Sequence, residues 1–88
     1  VEWGLATRTV PEGTALESAV TLARGLAKGP TQAFASSRRM LNASFDNDFI
    51  TQTDMETREI GANMTGVDGQ EGLDAFINKR RPTFTGRH

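Results

Sequence analysis

Cysteine is absent from this 88-residue chain, and histidine occurs once, as the last residue, His88. The absence of cysteine excludes disulfide bonds, thiolate catalysis and sulfur-ligated zinc, and it agrees with a reducing compartment such as the cytoplasm. A terminal histidine is a poor candidate for a functional imidazole because chain ends are usually poorly ordered. We therefore predict no metal site and no cofactor.

An excess of charge of one sign is also missing, since ten basic residues stand against eleven acidic ones and the formal net charge is -1. A nearly neutral chain has no general field that attracts nucleic acid or an acidic membrane surface. Long apolar runs are lacking as well, so the sequence predicts no membrane span and no signal peptide. Nucleic acid and membranes are therefore not expected partners.

The length of the chain sets a ceiling of one small domain, and such a domain buries only a modest fraction of its surface. The chain starts at Val1 without an initiator methionine, in the middle of what is predicted to be a strand. We interpret it as a fragment of a longer protein.

A strand and then a helix are predicted at the start of the chain. β-Branched and apolar residues from Trp3 to Val10 favour one short strand, which the Pro-Glu-Gly segment at 11–13 ends. Thr14 and Glu17 have the spacing of a capping box, which predicts the first turn of a helix. The apolar positions of that helix recur at helical spacing, and they are Leu16, Ala19, Val20, Ala23, Leu26 and Ala27.

Two further helices are predicted in the middle of the chain. The second runs from 30 or 31 to about 44, and the third runs from cap candidates at 46–48 to Gly66. Their apolar stripes are thin for a free-standing helical bundle. We expect a neighbouring domain, a second copy of the chain, or both, to cover them.

One acidic residue of the third helix is expected to need a partner. Glu56 shares the apolar side of this helix with Phe49 and Ile60, where an unpaired charge would be costly. We therefore predict an ion pair between Glu56 and either Arg38 or Arg39.

The fourth helix is predicted from a second capping box, formed by Asp68 and Glu71. Its predicted buried side consists of Leu73, Phe76, Ile77 and Arg80. We expect Arg80 to form a structural ion pair and Gly72 to allow close helix packing. Pro82 cannot continue the helix, so the remainder of the chain is predicted to be an extended tail.

The closing segment 68–86 resembles that of the enoyl-CoA hydratase/isomerase (crotonase) family, whose chains commonly finish on D-x-x-E-G-x-x-A-F-x-x-K-R followed by P-x-F. Gly4-Leu5 followed by Val10-Pro11 resembles the family's G-L-V-x-x-V-V-P strand. Residues 14–28 and 29–42 resemble the two helical segments that come next in the family. The resemblance covers nearly the whole chain in a consistent order.

The resemblance implies a mainly α fold, in which a short N-terminal strand remnant is followed by about four helices. Such a chain is the C-terminal helical region of a crotonase-fold (ClpP/crotonase-like) α/β enzyme. The implied parts are a strand remnant and linker at 1–13, a helical trimerisation and lid region at 14–86, and a tail at 87–88. Expected partners are the protein's own N-terminal spiral domain and further copies, in a trimer or a dimer of trimers.

The same resemblance implies an enzyme that binds an acyl-CoA thioester and holds its carbonyl oxygen between two backbone N–H groups, which stabilise the enolate. Carboxylates then transfer protons along the acyl chain. In this family those groups lie in the spiral domain. We therefore assign no catalytic residue to this chain and expect it to be inactive by itself, with the CoA thioester as substrate of the complete enzyme.

Phe76 and Lys79 are the candidate CoA-binding residues, because the resemblance places matching positions near the nucleotide end of CoA bound by an adjacent subunit. A lysine ammonium suits phosphate, and a phenyl ring offers an apolar face to adenine. A spacing of three residues lets one helix present both side chains. The residues taken alone favour a plainer interpretation, in which Phe76 belongs to the core and Lys79 complements the helix dipole.

The reaction subtype is left open by departures from common family residues at Thr9, Arg38 and Ile60. The tract 52–56 and the Phe-Thr-Gly-Arg ending are similar to members that isomerise ring-derived or unsaturated acyl-CoA. A competing hypothesis is an autonomous helical module that binds a partner helix through its uncovered apolar surface. That hypothesis leaves the closing motif unexplained.

Overall fold

The computed structural model describes residues 1–87, and these residues form four helices in chain order. They are α1 (Ala15–Ala27), α2 (Thr31–Ala43), α3 (Phe49–Thr65) and α4 (Val67–Ile77). Helix α2 packs against α3, and α3 packs against α4. The prediction of a mainly α chain with about four helices is confirmed, whereas His88 lies outside the described residues.

The strand predicted from Trp3 to Val10 is wrong, since residues 1–87 contain no strand. The segment forms turns and irregular backbone, with the N–H of Gly4 donating to the carbonyl oxygen of Val1 at 3.2 Å. Trp3 and Leu5 are almost fully exposed, at 88% and 89%. A strand needs a neighbouring strand to pair its backbone groups, and none lies beside this segment in the described part of the chain.

Helices α1 and α3 start where the sequence predicts, but only one of the two predicted side-chain caps forms. Thr14 precedes α1, yet its hydroxyl donates to the carbonyl oxygen of Pro11 at 2.6 Å and makes no cap bond, so the capping box with Glu17 is wrong. The cap of α3 is confirmed, because Asp48 accepts a hydrogen bond from the N–H of Thr51 at 2.8 Å. Hydrogen bonding to the side chain of Thr51, followed by that to its N–H, lowers the pKa of the Asp48 carboxyl.

A corner of one residue joins α3 to α4. Gly66 has an extended backbone, with φ -77° and ψ 172°, and it ends α3 and caps α4 at once. The first turn of α4 therefore lies directly on the last turn of α3. A Cβ atom on Gly69 would overlap the carbonyl oxygen of Asn63 and lie 2.9 Å from the Cα of Met64.

The glycine that permits close helix packing is therefore Gly69, which the sequence analysis did not single out. A Cβ atom on Gly72, the predicted position, would meet only the ring of Phe84 in the tail, at 3.6 Å. That distance is an ordinary van der Waals contact. Gly72 thus faces the tail of the chain rather than another helix.

Very little apolar surface is buried within the described chain. Ala75 is the only apolar residue among 1–87 that is buried, at 1% exposure, and α1 buries no residue. The radius of gyration is 16.4 Å, against about 12 Å for a compact domain of this length. The accessible surface is 7493 Å², where about 5,100 Å² is typical of this mass.

The predicted buried side of α4 is wrong for this chain, because Phe76 is 83% exposed and Ile77 is 74% exposed. The periodicity was read correctly, since both side chains lie on an apolar stripe that begins with Leu73, which is 38% exposed. Nothing within residues 1–87 packs over the end of this stripe. Phe45 and Phe49, near the turn between α2 and α3, are likewise uncovered within residues 1–87, at 90% and 84% exposure.

We predict that the purified 88-residue chain associates with itself at micromolar concentration. The chain exposes about 2,400 Å² more surface than a compact domain of its mass, an area within the range of obligate interfaces. Sedimentation equilibrium would show a mass at least twice 9.6 kDa. A stable monomer across the whole concentration range would contradict this expectation and favour the autonomous module.

A pair of glycine substitutions tests the corner between α3 and α4. Gly69→Ala should lower the free energy of unfolding by about 1–3 kcal/mol, because the added methyl group meets backbone that has to move. Gly72→Ala is the matched control and should be neutral or stabilising by up to about 1 kcal/mol, since alanine is the better helix former. Urea unfolding measures both, and equal effects would contradict the corner geometry.

Candidate functional site

Helix α4 ends earlier than predicted, and its end places Lys79 outside the helix. The N–H of Lys79 donates to the carbonyl oxygen of Phe76 at 3.3 Å, and that of Arg80 donates to the carbonyl oxygen of Ala75 at 3.0 Å. This pair of bonds is the Schellman motif. Lys79 takes the left-handed position of the motif, with φ 53°, where glycine is the usual residue.

The two candidate CoA-binding residues lie at the same end of α4, and both are exposed. Phe76 is on the last turn of the helix, and Lys79 follows the helix after Asn78. The predicted presentation of both from one helical face is wrong, because the helix ends at Ile77. The turn nevertheless keeps the phenyl ring and the ammonium group at one exposed end of the helix.

Glu71 joins the turn at the end of α4 to the tail of the chain. Its carboxylate accepts two hydrogen bonds from the guanidinium of Arg80, at 2.6 and 2.9 Å, and one from the N–H of Thr83 at 2.7 Å. The bond from Arg80, followed by that from Thr83, lowers the pKa of Glu71 to about 2. Arg80 also donates to Asp74, so its predicted structural ion pair is confirmed.

Asp68 holds the last described residues of the chain. It is 4% exposed, and its two oxygens accept from the N–H groups of Thr85 and Gly86, each at 2.8 Å. The hydrogen bond from Thr85 is the main cause of the lowered pKa of this carboxyl. The carbonyl oxygen of Gly86 in turn accepts from the side-chain amide of Gln32 in α2, at 2.9 Å.

The second predicted capping box is therefore wrong. Asp68 lies in the first turn of α4 after the cap residue Gly66, and α4 has no side-chain cap bond. Its carboxylate and that of Glu71 bind the tail instead of the start of the helix. The tail forms neither helix nor strand over 81–87, and it is held at 83, 85 and 86 along α4 and α2.

A polar cluster joins α2 to α3 and replaces the ion pair predicted for Glu56. Ser36 is 3% exposed, donates to Glu59, and accepts from Arg39 at 3.1 Å and from Asn63 at 2.8 Å. Arg39 and Glu59 form the ion pair, at 2.9 Å, which lowers the pKa of Glu59 and raises that of Arg39. Glu56 is exposed and makes no ion pair within residues 1–87.

The spacing of these four polar residues is a sequence signal for this cluster. Ser36 and Arg39 are three residues apart on α2, and Glu59 and Asn63 are four apart on α3, so each pair shares a helix face. Glu59 lies nearly one helical turn beyond Glu56. The assignment to Glu56 followed the apolar stripe of α3, whereas α2 lies against the side that carries Glu59.

A cavity of about 400 Å³ lies beside the polar cluster, between α2, α3, α4 and the tail. Ala33, Ala62, Leu73 and Phe84 supply apolar parts of its wall. All buried side-chain nitrogen and oxygen atoms among the described residues have hydrogen-bond partners. Residues 1–87 also contain no acidic or histidine cluster able to hold a metal ion, and no helix among them is long and apolar enough to cross a membrane.

Comparison with solved structures defines the class of fold. The four helices superpose on a crystal structure of an enoyl-CoA hydratase from Polaromonas with a TM-score of 0.88 and 28% identity, over 96% of this chain and 33% of that one. An enoyl-CoA hydratase from Geobacillus kaustophilus gives a TM-score of 0.87 at 27% identity, over 97% of this chain and 32% of that one. The helices are those of the C-terminal helical region of a crotonase fold.

Sequence comparison agrees with the structural one. The model of the enoyl-CoA hydratase/isomerase family matches residues 1–87. A 1,2-epoxyphenylacetyl-CoA isomerase of Escherichia coli is 35% identical over 98% of this chain and 33% of its own length. A probable enoyl-CoA hydratase of Rhodobacter capsulatus is 40% identical over 70% of this chain and 24% of its own length.

The chain belongs to the enoyl-CoA hydratase/isomerase family. It spans about a third or less of the length of the curated relatives that it matches.

The hydrogen bonds of Glu71 predict that acid releases the tail. The folded pKa of Glu71, about 2, is below its ordinary value of 4.5, so its stabilising contribution is complete above pH 4.5 and is lost as the pH falls towards 2. The lowered pKa of Asp68 acts in the same direction. The protection factors of the Thr83, Thr85 and Gly86 amides, measured by NMR against the intrinsic exchange rate at each pH, should fall as the pH decreases through this window.

Two variants provide the controls for the acid titration. Glu71→Gln removes the titrating group, so the protection factor of the Thr83 amide should be lower at neutral pH and should change less with pH. Glu56→Gln removes an exposed carboxylate that binds no part of the tail, and its titration should match that of the unmodified chain. Unchanged protection factors of the tail amides between pH 5 and about 2 would contradict the role of the carboxylates.

Proposed function

We propose that this chain acts as the C-terminal helical region of a longer enoyl-CoA hydratase/isomerase whose substrate is an acyl-CoA thioester. The observation that carries this proposal is the family match over residues 1–87 in a chain that spans about a third of its relatives. Both named bacterial relatives are enzymes of CoA thioesters, an epoxyphenylacetyl-CoA isomerase and a probable enoyl-CoA hydratase. A ring-derived or unsaturated acyl-CoA is the substrate class that we propose.

The chemical step that we propose is proton transfer next to an activated carbonyl group. Two backbone N–H groups stabilise the developing enolate, and carboxylates act as general acid and base. The remainder of the enzyme supplies these groups. In this chain the most strongly held carboxylates are already engaged, with Asp68 and Glu71 on the tail and Glu59 on Arg39.

We assign two tasks to the chain, and the first is to pack against the remainder of the enzyme and against other copies in a trimer. Its uncovered apolar side chains support this assignment. Leu16 and Leu26 on α1 are 78% and 52% exposed, and Ile50 and Ile60 on α3 are 78% and 60% exposed. Helices that are apolar on one side and exposed in isolation are typical of surfaces that are buried in an assembly.

The second task is to complete the site that binds the nucleotide end of CoA, through Phe76 and Lys79. The exposed ring of Phe76 is free to pack on adenine, and the ammonium group of Lys79 can meet phosphate. The left-handed backbone of Lys79 costs about 1–2 kcal/mol relative to glycine. Because this position favours glycine, the presence of a lysine there supports a functional role for its positive charge.

Lys79→Gly in the complete enzyme separates the charge of this residue from its backbone. We expect the substitution to stabilise the fold by about 1 kcal/mol, because glycine adopts the left-handed turn without strain. The KM for an acyl-CoA should rise about tenfold, in line with a lost hydrogen bond to a charged group. Steady-state kinetics and thermal unfolding measure the two effects on the same protein.

Lys28→Ala is the matched control, because Lys28 is the other lysine of the chain and also follows a helix, α1. Its removal should leave the KM for an acyl-CoA unchanged. Lys79→Arg should keep most of the affinity, since it keeps the positive charge. A Lys79→Gly enzyme with unchanged KM would refute the CoA-binding assignment.

A further inference from the structure

We propose that Glu71 is a positioning residue for Lys79, which it holds in place by binding the chain on the far side of the turn. The inference rests on the proposed function, because it assigns a purpose to the position of the Lys79 ammonium group. Glu71 makes no hydrogen bond or ion pair with Lys79 within residues 1–87. Its action is through Arg80 and Thr83.

The backbone on the near side of Lys79 is fixed by α4 itself. The N–H of Asn78 donates to the carbonyl oxygen of Asp74 at 3.0 Å, and the side-chain amide of Asn78 donates to the same oxygen at 2.9 Å. The N–H of Lys79 is bound by the carbonyl oxygen of Phe76. These bonds set where the chain leaves the helix, next to the exposed ring of Phe76.

On the far side of Lys79, the N–H of Arg80 donates to the carbonyl oxygen of Ala75 at 3.0 Å, and its side chain binds both Asp74 and Glu71. Both oxygens of the Glu71 carboxylate bind the guanidinium of Arg80, which gives a two-point contact with a defined orientation. The oxygen nearer to Arg80, at 2.6 Å, also accepts from the N–H of Thr83 at 2.7 Å. The chain from 80 to 83 therefore returns along α4, and Lys79 lies in the turn between the helix and this returning segment.

The left-handed backbone of Lys79 makes these contacts necessary. A lysine in this conformation tends to return to the right-handed or extended region, which would redirect its side chain and the residues after it. The Schellman bonds oppose that change at the turn itself, and the contacts of Glu71 oppose it by holding Arg80 and Thr83. Without Glu71 the Schellman bonds and the bond from Arg80 to Asp74 remain, whereas the two-point contact with Arg80 and the bond to the N–H of Thr83 are lost.

The test compares two substrates of the complete enzyme that carry the same 2-enoyl group, one as the CoA thioester and one as the pantetheine thioester. Pantetheine lacks the nucleotide end that Lys79 is proposed to meet. The measured quantity is the ratio of kcat/KM for the CoA substrate to kcat/KM for the pantetheine substrate. A purely structural defect lowers both values and leaves the ratio unchanged.

We expect Glu71→Ala to lower this ratio about threefold to fivefold, the size of an effect carried by an exposed ion pair. Lys79→Ala should lower it about tenfold. The double variant should show no larger loss than Lys79→Ala alone, because Glu71 acts through that lysine. Glu56→Ala, which changes an exposed glutamate of α3, should leave the ratio as it is.

A second variant covers the case in which Glu71→Ala does not fold. Glu71→Gln keeps an oxygen for the N–H of Thr83 and loses the charged two-point contact with Arg80, so it should lower the ratio by a smaller factor in the same direction. A Glu71 variant that lowers both kcat/KM values equally, with its ratio unchanged, would overturn the inference.

The outcomes also distinguish this inference from the proposed function. If Lys79→Ala leaves the ratio unchanged, the CoA-binding role of Lys79 fails and the positioning role fails with it. If Lys79→Ala lowers the ratio and both Glu71 variants do not, only the positioning role fails. If the double variant loses more than Lys79→Ala alone, Glu71 acts on CoA by another route and the inference is refuted.

Discussion

Two carboxylates of α4 that bind backbone N–H groups determine how the second half of this chain is arranged. Asp68 accepts hydrogen bonds from the N–H groups of Thr85 and Gly86, and Glu71 accepts one from the N–H of Thr83. Hydrogen bonds to an ionised acceptor are short and directional, so they define one path for the tail. Because apolar burial within the chain is slight, these polar contacts, rather than a core, connect α4 to α2 through the tail and Gln32.

The closing motif of the family thereby acquires a physical explanation in this chain. An acidic residue followed three positions later by a glutamate has the spacing of a capping box, which is what the sequence predicts here. The same spacing places both carboxylates in the early turns of α4, where they face the returning tail at 83–86. Local spacing cannot distinguish the two uses, because the partners lie 12 to 18 residues away.

The parts of the fold that depend on neighbouring residues were predictable. The ends of α2 and α3 and the cap at Asp48 follow from proline, glycine and aspartate signals, and the structure places them within a residue or two of the prediction. The absence of the N-terminal strand and the exposure of the apolar side of α4 could not be predicted in this way, because a strand and a buried face each require a partner that residues 1–87 do not provide. The end of α4 was missed since a lysine at a glycine position gives no local signal.

The corner at Gly66 makes the register of α4 dependent on that of α3. In a helix each residue turns the chain by about 100° and advances it by about 1.5 Å. Because one residue separates the two helices, an insertion or deletion there has no loop in which to be absorbed. It would rotate α4, together with the tail that Asp68 and Glu71 hold, relative to α3 and to Gln32 of α2, so the length of the corner helps to set where the ring of Phe76 lies.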